Sequence, residues 1–153
     1  MRQIDFLLNE YSESHKNKIN ILIHAIAVPA IFFVSIGLIW SIPTPKLLEY
    51  FAVTWAHVLV IPALYYYFKL SGPIGAAMTL LSMASFMGLM LLEAADISVW
   101  KFSLILFVVM WVLQFIGHHI EGKKPSFIKD LRFLLVGPAW WCGHWLKRLK
   151  IPY

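Results

Sequence analysis

Four long runs without a charged residue dominate the chain: Ile21–Trp40, Tyr50–Phe68, Ile74–Leu92 and Phe102–Ile120. A helix of about 20 residues crosses a hydrocarbon core of about 30 Å, so each run predicts one transmembrane helix. The gaps between them are short and rich in turn-formers, Ser41-Ile42-Pro43-Thr44-Pro45, Ser71-Gly72-Pro73 and Glu93 to Lys101. Short gaps make neighbouring helices antiparallel, which predicts an all-α, four-transmembrane-helix up-down bundle. The two ends of the chain carry a different pattern. Ile4, Leu7, Leu8 and Tyr11 follow the i, i+3, i+4, i+7 spacing of one helical face, and Phe127, Leu131, Leu134 and Leu135 do much the same after Pro125. Both segments, 3–14 and 126–146, predict amphipathic helices at the membrane interface. Phe133–Leu146 is apolar but short and holds Gly137-Pro138 and Gly143, so it reads as a re-entrant or interfacial piece rather than a fifth span.

Composition narrows the class. The chain is 60% hydrophobic and 14% charged over 153 residues. Soluble domains carry roughly 45–50% apolar and about 25% charged residues, so a soluble enzyme is excluded and one integral membrane domain over 1–153 is expected. The single cysteine, Cys142, excludes a disulfide scaffold and thiolate-rich zinc or iron–sulfur sites. The polar start, with Asp5, Glu10 and Glu13, lacks the basic opening of a signal peptide, so the first span is expected to be retained.

Charge sets an orientation. With four spans and both termini in the cytoplasm, eleven of the 13 Lys and Arg residues fall on that side, and only Lys46 and Lys101 on the other. The excess of basic residues in cytoplasmic loops makes N-in/C-in the expected topology. The net charge of +5 then belongs to a rim facing anionic lipid head groups, with no nucleic-acid partner required.

The candidate chemistry lies in the histidines, six in all. Polar groups within a membrane are costly and mark function by default. His15 and His24 flank the start of the first span, and His118 and His119 close the fourth. An even number of spans brings all four to a similar depth. Asn17, Asn20 and His24 share one helical face, and Gln114, His118 and Glu121 share another. His119 is turned about 100° away from that stripe. His15 and His24 can join one site only if the chain bends near Lys16–Lys18. Imidazole ligands suit Zn, Fe, Cu or Ni, and a carboxylate from Glu121 would shift the balance toward non-haem Fe(II). Glu121 and the asparagines are alternatively groups that orient the rings. Bis-histidine haem between the first and fourth spans, and a non-catalytic lipid-binding membrane protein, are the competing readings. His57, mid-way along the second run, is expected to hold a structural partner, and His144 to anchor the interface beside Trp145.

Two polar segments carry a family resemblance. Tyr11-Ser12-Glu13-Ser14-His15-Lys16-Asn17 leads into Asn20-Ile21-Leu22-Ile23-His24 and Val28-Pro29. Gln114-Phe115-Ile116-Gly117-His118-His119-Ile120-Glu121-Gly122-Lys123-Lys124-Pro125-Ser126 is followed by Leu135-Val136-Gly137-Pro138. With these segments the chain resembles the membrane 2-hydroxy fatty acid dioxygenase family almost end to end. The resemblance implies an Fe(II)- and O2-dependent enzyme of fatty acid α-oxidation, converting a 2-hydroxy fatty acid into an acid one carbon shorter. It implies an endoplasmic reticulum location for a eukaryotic member and the inner membrane for a bacterial one. By motif, His15, His24 and His118 are the metal-associated histidines, with Asn20, Gln114 and Glu121 nearby. His119 is a further candidate ligand, and Lys123, Lys124 or Lys16 are candidates for attracting the substrate carboxylate.

Overall fold

Helix starts and stops follow local chemistry. In the computed structural model, which describes residues 2–125 and 132–153, the helices are α1 (Gln3–Ser12), α2 (Lys18–Trp40), α3 (Lys46–Tyr50), α4 (Trp55–Leu70), α5 (Gly72–Ala94), α6 (Val99–Glu121) and α7 (Phe133–Arg148). No strand occurs among the described residues. Asn17 caps α2 by accepting the Ile19 amide at 2.9 Å. Pro73 sits in the first turn of α5, where its missing N–H costs nothing. Gly122 ends α6 at φ +72°, a left-handed value that a side chain would strain.

Among the described residues three helices, not the four expected, are long and apolar enough to cross a membrane: α2, α5 and α6. The uncharged run Tyr50–Phe68 does not form one helix. Tyr50 ends α3, and Ala52 takes φ +52°, which turns the chain. A capping box then starts α4 at Trp55, with the Thr54 amide donating to His57 Nδ1 at 3.0 Å. The remaining 16 residues of α4 rise about 24 Å, short of the hydrocarbon thickness. His57 is therefore a capping residue at the helix start rather than a mid-span group. Its ring stacks on Phe86 at 4.4 Å and lies 5.4 Å from Trp40.

The long helices meet through small residues. Between apolar helices in lipid, close backbone approach and hydrogen bonds replace the hydrophobic drive to associate. At Gly37 of α2, a Cβ would collide with Ser103 Oγ of α6 and come within 3.1 Å of Leu89 of α5. Gly37→Val is expected to lower stability by about 1–3 kcal/mol, the usual range for overpacking; thermal unfolding in detergent measures it. Outward positions such as Ile26, Leu80, Met87 and Ile105 are each about 60% exposed or more and apolar, as a lipid-facing surface requires.

The predicted stripe on α1, Ile4, Leu7, Leu8 and Tyr11, is buried. It packs against Val136, Ala139, Cys142 and Leu146 of α7, so each helix covers the other's apolar face. Of the expected C-terminal stripe, Phe127 and Leu131 lie outside the described residues. Phe133–Arg148 is one continuous helix despite Pro138. Hydrogen bonds to backbone carbonyls tie α7 to the bundle. Tyr67 Oη of α4 donates to the Leu135 carbonyl at 2.8 Å, and Trp141 Nε1 donates to the Ala25 carbonyl at 2.9 Å. The second bond has a cause in the sequence: Pro29 has no N–H to offer the carbonyl four residues before it, and that carbonyl belongs to Ala25.

Candidate metal centre

The chain breaks between Ser12 and Lys18, so His15 leaves the line of α2 and folds back over its first turns. His15, His24 and His118 then meet, with ring centroids 4.3 Å (15–24), 4.8 Å (24–118) and 5.1 Å (15–118) apart. All three are buried. His15 Nδ1 lies 2.7 Å from the Tyr11 carbonyl and His24 Nδ1 lies 3.0 Å from the Asn20 carbonyl. A carbonyl can only accept, so each Nδ1 carries the proton and each Nε2 presents a lone pair. His15 Nε2, His24 Nε2 and His118 Nδ1 have no hydrogen-bond partner. Burial pushes the His15 imidazole down to about 4, which keeps it neutral at pH 7.

Three buried, unpartnered ring nitrogens within 4.8 Å of one another fit a metal ion. Unsatisfied buried acceptors are costly, and a shared cation satisfies all three at once. Ligand distances of about 2.1 Å bring any two nitrogens within about 4.2 Å, a small inward rotation of the rings. Bis-histidine haem does not fit, because a porphyrin would have to pass between rings already in contact. Thiolate ligation does not fit either: Cys142 lies against Met78 Sδ at 3.5 Å, and burial pushes its thiol up to about 12.

Over residues 1–149 the chain matches the family described as 2-hydroxy-palmitic acid dioxygenase Mpo1-like. The chain belongs to the Mpo1-like family. No curated protein and no solved structure matches it.

In this Mpo1-like chain, Glu121 holds the two halves of the site together. Its Oε1 accepts the Lys16 amide at 3.0 Å, and its Oε2 accepts the Asn17 amide at 2.9 Å and Asn20 Nδ2 at 3.0 Å. A carboxylate at the N-terminus of α2 also meets the positive end of the helix dipole. Its oxygens are thus committed to donors on α2 and the preceding loop. Asn20 Nδ2 further donates to the Ser14 carbonyl at 3.0 Å, which fixes the loop carrying His15. A Cβ at residue 117 would collide with Asn20 Oδ1, so Gly117 permits α6 to approach there. Gln114 is buried below His118 and interacts with His24.

Other expected residues fall outside the cluster. His119 is exposed, as are His144 and Lys124. Lys123 Nζ donates to the Glu13 carbonyl at 2.8 Å, beside the His15 loop. Lys16 is exposed at the same rim. Two aromatic groups at the site were not anticipated as such. Tyr11 stacks on His15 at 4.2 Å with 12° between the planes, and Trp140 lies 5.4 Å from the same ring. Trp140 Nε1 donates to Ser12 Oγ at 3.0 Å. Tyr11 had a signal, its position four residues before His15, but that position also completes the α1 stripe. Trp140 had none, since only the packing of α7 on α1 brings it in.

Proposed function

We propose that this protein is an Fe(II)- and O2-dependent dioxygenase that converts a 2-hydroxy fatty acid into the fatty acid one carbon shorter. The observation that carries the reading is the convergence of His15 Nε2, His24 Nε2 and His118 Nδ1, three unpartnered ring nitrogens in one buried cluster. The family description, a 2-hydroxy-palmitic acid dioxygenase, supplies the reaction class. The balanced reaction takes a 2-hydroxy acid and one O2 to the shortened acid, CO2 and water. The C1–C2 bond breaks, C2 becomes the new carboxyl carbon, and O2 accepts all four electrons, so no separate reductant is required.

His15, His24 and His118 would hold the iron, which when bound would supply O2 activation and bind the hydroxyl and carboxylate of the substrate. The residues of the chain do the rest. The Tyr11 and Asn20 carbonyls fix the tautomers of His15 and His24, as carbonyl and carboxylate partners of metal-bound histidines do. Glu121 and Asn20 lock the His15 loop to α2, an orienting role in place of direct ligation. Tyr11 and Trp140 wall the cluster from water. Lys16, Lys123 and Lys124, at the mouth of the site, attract the substrate carboxylate. His119, exposed on α6, has no part in holding the metal. The α1–α7 packing brings both ends of the chain to the side of the bundle that bears the cluster. We place that side in the cytoplasm, where the excess of Lys and Arg belongs.

The test is turnover of 2-hydroxypalmitate by protein reconstituted with Fe(II). Pentadecanoate formed one-to-one with O2 consumed, and lost after chelation, is expected. Iron-loaded protein that consumes no O2 with this acid would overturn the reading and leave a lipid-binding role.

A further inference from the structure

A cavity of about 370 Å³ begins at the metal cluster, where Tyr11, Gln114 and His118 line it, and continues into the bundle. Its walls follow α2 from Val28 to Ile39, with Ala56 and Leu59 of α4 and Phe107 of α6 beside the lower end. Depth follows from helix direction. Phe107 lies eleven residues before His118 on α6 and Ile39 fifteen residues after His24 on α2, so the cavity reaches about 16–22 Å below the cluster. Nearly all of its lining below Gln114 is apolar. Leu59 of α4 and Leu134 and Leu135 of α7 line it and are also exposed, so it opens on the outside of the bundle, where lipid would lie.

A single polar end on a narrow apolar shaft matches one kind of ligand, a straight acyl chain with a polar head. We propose that this cavity is the acyl-chain site, entered laterally from the bilayer, and that Ala56, Ile36 and Phe107 form the floor that sets chain length. The assignment rests on the dioxygenase reading for the identity of the head group. At about 30 Å³ for each water-sized group, the volume holds about a dozen methylenes, which places the optimum among long-chain acids and not short ones. Ala56 is 1% exposed and packs with Ile36, so a larger side chain at residue 56 enters the shaft from below.

The experiment uses full-length, iron-loaded protein in lipid nanodiscs. A palmitic acid analogue with a diazirine near its methyl end is photolysed, and the labelled residues are identified by mass spectrometry. Labels on α2 around Ile36 and Ile39 and at the start of α4 are expected; labels confined to outward residues such as Leu22, Met83 and Met87 overturn the site. In parallel, Ala56→Leu is expected to shift the kcat/KM ratio of 2-hydroxypalmitate to 2-hydroxydecanoate toward the shorter acid by about tenfold or more. An unchanged ratio in folded variant also overturns it. If that variant does not fold, the wild-type label decides alone. Labelling at the floor without turnover of any 2-hydroxy acid keeps the acyl site and overturns the dioxygenase reading. Turnover with labels only on the outer surface does the reverse.

Discussion

His24→Ala is expected to strip iron from the purified protein and to lower turnover of 2-hydroxypalmitate by more than about 100-fold, beyond the 10–100-fold typical of residues that only support ligands. The bundle is expected to survive. The His24 ring makes its one hydrogen bond within its own helix, to the Asn20 carbonyl, and its other nitrogen has no protein partner. Removing the ring therefore loses only its contacts with His15, His118 and Gln114 between elements. It also relieves the crowding of three lone pairs in a buried site. Apo stability should stay close to wild type while iron content collapses. Metal analysis alongside thermal unfolding separates these two effects, and a variant that keeps both iron and turnover removes His24 from the site.

Glu121→Ala is the second large effect, with a different signature. The carboxylate accepts from Lys16 N, Asn17 N and Asn20 Nδ2. Without it, three donors lose their acceptor and the His15 loop loses its tie to α6. Iron affinity is expected to fall about 10–100-fold, the range for an orienting partner. Turnover should return at saturating Fe(II), because all three imidazoles remain. Glu121→Gln keeps an acceptor oxygen but loses the charge at the start of α2, and should fall between the two. A direct ligand would behave otherwise: the alanine variant would stay inactive at any iron concentration. Titration of turnover against Fe(II) distinguishes the roles.

Much of this site could be anticipated from spacing and charge. The i, i+3, i+4, i+7 stripe of α1 is buried as its periodicity requires. An even number of antiparallel helices, read from the short gaps, was enough to bring residues 24 and 118 to one level despite their separation along the chain. The rotation of His119 away from His118 also follows from the helix alone, and His119 is exposed. The break that lets His15 join His24 was only a condition, since nothing local to Glu13–Asn17 dictates it. It is held by Glu121, more than a hundred residues away. The split of the second apolar run was hidden for a related reason. Tyr50–Phe68 contains no charge to mark a boundary, and the turn depends on Ala52 adopting a positive φ and on Thr54 and His57 capping α4. Packing of α7 on α1 was equally out of reach. Each stripe by itself looks like a surface for lipid, and only the pairing shows that they bury each other.

One iron held by three imidazoles should be visible in iron-edge X-ray absorption of protein purified with stoichiometric Fe(II). Imidazole scattering from three nitrogens at about 2.1 Å is expected, with no sulfur or porphyrin contribution, and with loss of one imidazole or of the iron itself in His118→Ala. Fewer than three imidazoles, or a spectrum identical in wild type and His118→Ala, would rule out this site.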